Sequence, residues 1–371
     1  MTTATMPETI TAGKLAIKVS SVPRTRALPA AKDLGFGRIF TDHMFAMDYE
    51  DGRGWFDARI IPYGPIAMDP GASALHYGQA MFDGCKAFRA KDGRVQLFRG
   101  RKHAARLSEG APRLGMVAPD TEDVHAAMMA LVDFERDWVP GEPGASLYLR
   151  PTLIGTEGFL GVRAAKKYLF YVILSPVGAY YADGMKPVRI WVEKDYIRAA
   201  RGGLGAVKAG ANYAASLFAA SEAQKRGYAQ VLWLDALEHR YCEEVGVMNL
   251  FVQLGDEIVT APLGGTILAG VTRDSVMTLL RDWGYKVNER RYAFDEIVDA
   301  QKAGTLGEVF GTGTAAVISP VAEFGHREGV LKTSDGTIGP LVKRLHSTLT
   351  SIQYGEAPDP HSWMEEVKPL A

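Results

Sequence analysis

A chain of 371 residues, 47% hydrophobic and 23% charged, is long enough to build two domains with substantial cores. Its formal net charge of -1, from 42 Lys and Arg against 43 Asp and Glu, removes any bulk electrostatic pull toward nucleic acid or an anionic membrane and leaves small molecules as the expected ligands. The longest apolar run, residues 168–174, falls far short of the roughly 20 residues of a membrane-spanning helix, and the first twenty residues lack the apolar stretch of a signal peptide, which predicts a cytoplasmic protein with a loose N-terminal tail.

In chain order, strand-like runs at 58–61, 94–98, 146–153 and 168–174 alternate with a helix expected over 122–138, capped by Thr121. There Val124, Met128, Leu131, Val132 and Glu135 fall on one stripe at the spacing of a 3.6-residue turn. The stretch from Pro176 to Pro187 holds two glycines and a Tyr180-Tyr181 pair and reads as an interdomain connection. The expected division is a small N-terminal α+β domain over 1–177, a connection over 178–188, and a larger C-terminal domain over 189–371.

The second half opens with a strand at 188–193, followed by a helix after Asn212 and strands at 230–234 and 250–254. A helix is predicted over 273–283: Val276, Leu279, Leu280 and Trp283 make an i, i+3, i+4, i+7 stripe, and Gly284 stands where a left-handed cap belongs. Its start, at Val271 and Thr272, should present backbone N–H groups. No internal repeat or low-complexity segment interrupts this order.

Cys85 and Cys242 stand far apart, the eight histidines form no H-x-x-H or H-x-x-x-H pair, and no G-x-S-x-G elbow occurs. Disulfide frameworks, zinc sites, metal hydrolases and serine hydrolases therefore lose their usual support. What stands out is Lys208, set among four glycines in the segment 201–213 with Tyr213 five residues later, and a carboxylate at Glu244 within Cys242-Glu-Glu-Val-Gly-Val-Met-Asn249. An isolated lysine is ordinarily a solvated side chain; this one has company. Pyridoxal phosphate needs an amine for a Schiff base, a carboxylate to keep its ring nitrogen protonated, and dipoles for its phosphate.

Two turns offer such dipoles: 264–272, entering a helix, and 311–315. The second also fits G-x-G-x-x-A, but Pro320 would break the long crossover helix that a dinucleotide site requires.

Taken together, these segments resemble the branched-chain aminotransferases, fold-type IV pyridoxal-phosphate enzymes. The resemblance runs through Phe36-Gly, Thr41-Asp-His-Met44, Leu75-His-Tyr-Gly-Gln-Ala-Met-Phe-Asp-Gly-Cys-Lys-Ala-Phe88, Ser146-Leu-Tyr-Leu-Arg-Pro151, Gly205 to Tyr213, Glu244 to Asn249 and Ile352-Gln-Tyr-Gly355. It implies a two-domain α+β fold like that of the D-amino-acid aminotransferases, pyridoxal 5′-phosphate as cofactor, and ping-pong exchange of amino groups between L-leucine, L-isoleucine or L-valine and 2-oxoglutarate. Lys208 would form the Schiff base and shuttle the proton at the substrate Cα, with Tyr213 on the ring 3-oxygen and Glu244 on the ring nitrogen. Arg99, the N–H groups of Val271 and Thr272, and the Thr314 hydroxyl would hold the phosphate.

On the substrate side the resemblance implies a wall of Phe36, Tyr77, Phe82, Tyr148, Tyr180 and Val247, with the Ala315 N–H near the substrate carboxylate and Arg150 close by. Taken singly, each aromatic reads as ordinary core before it reads as a substrate wall. Leu160 and Val162 resemble a loop that reaches into a neighbouring subunit's site, implying a homodimer.

Three positions depart from the family. Asp83 replaces the glutamate of Phe-Glu-Gly, Val247 replaces a threonine of animal relatives, and Ala316 and Ser319 replace a redox Cys-x-x-Cys, excluding thiol regulation of that kind. The rival readings are a D-amino-acid aminotransferase, a pyridoxal-phosphate lyase such as aminodeoxychorismate lyase, and a non-catalytic pyridoxal-phosphate binder; the last is expected to lack Lys208 or Glu244.

Overall fold

The computed structural model describes residues 8–20, 22, 27–178 and 185–369. It divides into two compact units, one of residues 1–182 with 351–371 and one of residues 183–350. Tyr180 and most of the expected connection lie outside the described residues.

The strands of the first unit are β1 (Glu8–Ala12), β2 (Leu15–Val19), β3 (His43–Glu50), β4 (Gly54–Pro62), β5 (Ala80–Phe82), β6 (Cys85–Arg89), β7 (Val95–Phe98), β8 (Ser146–Gly155), β9 (Lys167–Val177) and the late strand β19 (Met364–Glu366). They form one sheet in the order β1-β2-β4-β3-β9-β8-β6-β7-β19, with β5 also paired to β8. Among the described residues, helices α1 (Ala31–Leu34), α2 (Ser73–Tyr77), α3 (Gly100–Gly110) and α4 (Thr121–Phe134) accompany it. The predicted apolar stripe of α4 is fully buried at Val124, Met128, Leu131 and Val132 and packs with Phe45, Leu149 and Phe170 of the sheet. Just past the helix, Glu135 meets His43 Nδ1 at 2.5 Å in the buried interior.

Several expectations change here. The cap of α4 is Asp120, whose carboxylate accepts the Asp123 N–H at 2.9 Å, and Thr121 becomes the first helical residue. The helix stops at Phe134, and a separate 3-10 turn, Arg136–Trp138, carries Trp138 so that its indole donates to Asp42 at 3.0 Å. The N-terminus is not all loose tail. β1 and β2 form a hairpin, with Ile17 and Val19 buried at alternate positions, and β2 runs parallel to β4.

The C-terminal segment, expected in the second domain, belongs to the first. β19 pairs antiparallel with β7, and the Tyr354 hydroxyl donates to the Ala145 carbonyl at 2.7 Å.

The second unit holds β10 (Val188–Glu193), β11 (Gln230–Leu234), β12 (Cys242–Val245), β13 (Met248–Leu254), β14 (Glu257–Thr260), β15 (Lys286–Glu289), β16 (Leu306–Gly313), β17 (Val317–His326) and β18 (Gly329–Lys332). Its helices are α5 (Gly210–Lys225), α6 (Val271–Asp282), α7 (Phe294–Lys302) and α8 (Pro340–Gln353), the last running into the segment that rejoins the first unit. The sheet runs β12-β11-β10-β17-β16-β13, and β13 pairs again with β12, closing a ring of six strands. Closure satisfies the backbone groups that an open edge would leave unpaired. Ile190, Leu232, Leu250, Val252 and Phe324 are buried in its core.

Candidate active site

The second unit gathers most of its sequence-predicted site residues at one end of this ring. Gly246 and Val247 form a two-residue turn between β12 and β13, and Gly246 holds φ +57, a left-handed conformation that favours glycine. That turn sets Glu244 opposite Asn249, so that the Asn249 Nδ2 donates to Glu244 Oε1 at 3.2 Å. Asn249 in turn pairs with Thr312 on β16, which places the following turn, residues 314–316, at the same end. The expected turn over 311–315 is corrected in part: Gly311 to Gly313 finish β16, and only Thr314 to Ala316 turn. That turn leads into Val317 at φ +60, a strained conformation for a β-branched residue.

The start of α6 joins the same cluster. Its N-cap, Gly270, backs onto the Asn249 side chain so closely that a methyl group there would overlap the amide oxygen. Gly270, as N-cap, has no side chain to make a cap hydrogen bond at the start of this twelve-residue helix. Two successive residues of β12 pin the preceding loop. Glu243 accepts the Thr266 hydroxyl at 2.6 Å, and Glu244 accepts the Leu268 N–H at 2.9 Å. At the helix's other end, Gly284 takes φ +81, as its place in the sequence predicts.

Lys208 sits two residues before α5, and its Nζ donates to the Tyr213 hydroxyl at 2.9 Å. Asn212 fixes the glycine-rich loop upstream, its amide donating to the carbonyls of Leu204 and Val207, each at 2.9 Å. Tyr213, Glu244 and Val247 line one small cavity.

Arg198, which also lines that cavity, escapes sequence reasoning because it stands in a polar loop without periodicity. Its Nε lies 2.9 Å from Glu244 Oε2, and both side chains are buried. The same guanidinium donates to the Thr266 carbonyl at 2.9 Å and reaches the Gly205 carbonyl at 3.4 Å. One planar fork thereby joins the carboxylate, the loop before α6 and the loop before Lys208. Arg198, Asn249 and the Leu268 N–H all direct donors at the Glu244 carboxylate.

In the first unit, Tyr148, Arg150, Phe82 and Phe36 form a second cluster. The Phe36 and Tyr148 rings meet edge to face at 5.0 Å, Arg150 donates to the Tyr148 hydroxyl at 3.0 Å, and its guanidinium lies 4.6 Å from the Phe82 ring centre. The departure at Asp83 is accommodated by α3. The fully buried carboxylate takes a two-pronged bond from Arg106, both contacts at 2.8 Å, and a third contact of 2.8 Å from His103. Burial opposes its ionisation, but the Arg106 charge and His103 prevail and hold it far below the ordinary carboxylate range.

Tyr77 donates to the Leu160 carbonyl, while Leu160 and Val162 are 67% and 88% exposed, so their side chains are uncovered within this chain. Arg99, at φ +54, is the N-cap residue before α3, and its backbone N–H donates to the Trp363 carbonyl at 2.7 Å.

Residues 81–324 match the family described as amino-transferase class IV. The chain is 48% identical over 357 residues to branched-chain-amino-acid aminotransferase 2 of Bacillus subtilis strain 168, a match covering 96% of this chain and 98% of that protein. It is 51% identical over 340 residues to branched-chain-amino-acid transaminase 1 of the same strain, covering 91% and 96%.

Among solved structures, it is similar to the Escherichia coli branched-chain amino acid aminotransferase, with a TM-score of 0.72 at 26% identity over 88% of this chain and 99% of that one. The branched-chain amino acid aminotransferase of Thermobaculum terrenum, in its holo form with pyridoxal phosphate, shares the fold with a TM-score of 0.69 at 22% identity, covering 88% and 98%.

Proposed function

This chain belongs to the class IV aminotransferases, as a branched-chain-amino-acid aminotransferase, and from that premise we infer that it exchanges amino groups between L-leucine, L-isoleucine or L-valine and 2-oxoglutarate by a ping-pong route. The observation that carries this reading is the Lys208 amine held at 2.9 Å by Tyr213, in a unit where Arg198 ties the Lys208 loop to Glu244.

The residues fit pyridoxal 5′-phosphate. An amine and a phenol stand together, a buried carboxylate receives donors from Arg198, Asn249 and Leu268, and a twelve-residue helix starts from a glycine N-cap, an end where an anion is favoured. When bound, the cofactor supplies an electron sink for the pair released at the substrate Cα. Lys208 is assigned the covalent link and then the proton at Cα, Tyr213 orients that amine, and Glu244 keeps the ring nitrogen protonated. Val271, Thr272 and Thr314 receive the phosphate in this reading, and Arg99 is its assigned cation.

The substrate assignments belong to the same reading: an apolar wall of Phe36, Tyr77, Phe82, Tyr148, Tyr180 and Val247, with the Ala315 N–H on the substrate carboxylate. An aliphatic wall separates substrates one methylene apart by only about 1–3 kcal/mol, so all three branched amino acids should react. Tyr148 and Arg150, bonded at 3.0 Å, supply the polar group a glutamate side chain needs. The exposure of Leu160 and Val162 supports a homodimer in which each chain covers its partner's loop. Among the described residues no helix is long and apolar enough to cross a membrane, and we assign the enzyme to the cytoplasm.

A coupled assay with 2-oxoglutarate and, in turn, L-leucine, L-isoleucine, L-valine, D-alanine and L-aspartate tests this. Turnover confined to the three branched substrates, with parallel double-reciprocal lines, is expected. Turnover of D-alanine instead moves the activity to a sister branch of the family.

A further inference from the structure

Beside β12 lies a cavity of about 310 Å³, lined by Arg201, Asp235, Leu237, Glu243, Ile267 and Arg291 among others. We propose that it is a second ligand site, taking a small aliphatic amino acid and linked through Thr266 and Arg198 to the carboxylate Glu244.

Glu243 is 9% exposed and its Oε1 accepts the Thr266 hydroxyl, yet its Oε2 is buried with no hydrogen-bond partner among the described residues. A buried carboxylate oxygen without a donor carries a desolvation cost that a bound ammonium would relieve. Burial raises Glu243 from the ordinary value of 4.5 to about 7, and a cation beside it would bring it back down. Asp235, by contrast, is already supplied: it accepts the backbone N–H groups of Leu237, Glu238, Arg240 and Tyr241 and shapes the wall.

The cavity also offers a cation. Arg201 is exposed and makes no ion pair among the described residues, whereas Arg291 stacks 3.6 Å over the Tyr241 ring and is already paired with Glu238 at 3.1 Å and Asp235 at 3.5 Å, which leaves Arg201 as the cation open to a ligand. A ligand bearing only an anion would face Glu243, and one bearing only a cation would face Arg201. A molecule with both charges satisfies each end. Leu237, 86% exposed, and Ile267 provide the apolar surface that selects an aliphatic side chain.

The link inward is continuous. Thr266 donates its hydroxyl to Glu243 and gives its carbonyl to Arg198 at 2.9 Å, and Arg198 pairs with Glu244 at 2.9 Å. Only this linkage rests on the cofactor reading; binding in the cavity does not.

The test titrates L-leucine by calorimetry into borohydride-reduced holoenzyme, in which Lys208 holds the cofactor permanently and turnover has stopped. The wild type is compared with Glu243→Gln and with Arg201→Ala, a change at the exposed rim that leaves the core untouched. We expect a binding component that each variant weakens at least tenfold, and that isocaproate, lacking the ammonium, and isoamylamine, lacking the carboxylate, also lose at least tenfold. Identical titrations in all three proteins would overturn the proposal. A chain that cannot be reduced to a Lys208-linked product counts against the cofactor reading alone, because the titration still reports on the cavity.

Discussion

The Nε of Arg198 stands 2.9 Å from Glu244 Oε2 in a buried pair, and the same guanidinium spans to the carbonyls of Thr266 and Gly205. Removing one member of such a pair leaves a buried charge uncompensated, at about 3–5 kcal/mol. Arg198→Met should therefore lower the unfolding free energy by about 3 kcal/mol and weaken pyridoxal-phosphate binding at least tenfold. Arg198→Lys keeps the charge but not the planar fork, and should fall between. Denaturant unfolding and cofactor titration read the two effects separately; a methionine variant with wild-type affinity and spectrum would remove Arg198 from its positioning role.

The Lys208 and Tyr213 pair predicts two distinct losses. Lys208→Ala should abolish the long-wavelength absorbance of the cofactor together with turnover. Tyr213→Phe retains the ring and removes only the hydroxyl that accepts from the amine at 2.9 Å. A hydrogen bond to a charged group is worth about 1.5–3 kcal/mol, so kcat should fall roughly 10- to 100-fold while the absorbance persists. An unchanged kcat in Tyr213→Phe would show that the amine needs no such orientation.

What the sequence made legible follows from local chemistry. The α6 stripe and its Gly284 terminus, and the strands β10 and β11, appear where periodicity and turn residues put them, because each is specified within a few residues. The hairpin β1–β2 was hidden by its polar alternate positions. β19 is a three-residue strand whose existence depends on β7, more than 260 residues away. Arg198 and Glu243 were illegible for another reason: both are charged residues in charged surroundings, and only the closed ring makes one the partner of Glu244 and the other a buried acid. Resemblance identified the residues that carry the chemistry; it did not identify those that hold them.

Gly84 follows Asp83 in the departed motif, and a methyl group at its Cα would overlap the Tyr148 hydroxyl. Gly84→Ala must therefore displace Tyr148, and with it the acceptor of Arg150. The expected result is a loss of about 1–3 kcal/mol in stability from overpacking and a larger rise in KM for glutamate than for leucine. Adding Tyr148→Phe removes the overlapping oxygen, so the double variant should recover most of the lost stability, a coupling that independent sites would not show. Strictly additive stability losses would mean that Gly84 serves some other contact.

Glu243 yields a pH-dependent prediction whose sign follows from its environment. Burial raises it from 4.5 to about 7 in the folded chain. Between those values the folded state binds the proton and the unfolded state releases it, so stability falls as pH rises through the window. Below 4.5 the penalty is absent, and above 7 it is fully present. Glu243→Gln mimics the protonated form, and its amide oxygen can still accept the Thr266 hydroxyl. The variant should exceed the wild type by about 3 kcal/mol at pH 8 and by under about 1 kcal/mol at pH 5. Denaturant unfolding of both proteins at the two pH values reads this directly, since effects common to the rest of the chain cancel in the difference. A gap of equal size at both values would mean that Glu243 does not titrate in this window and that the substitution acts through packing alone.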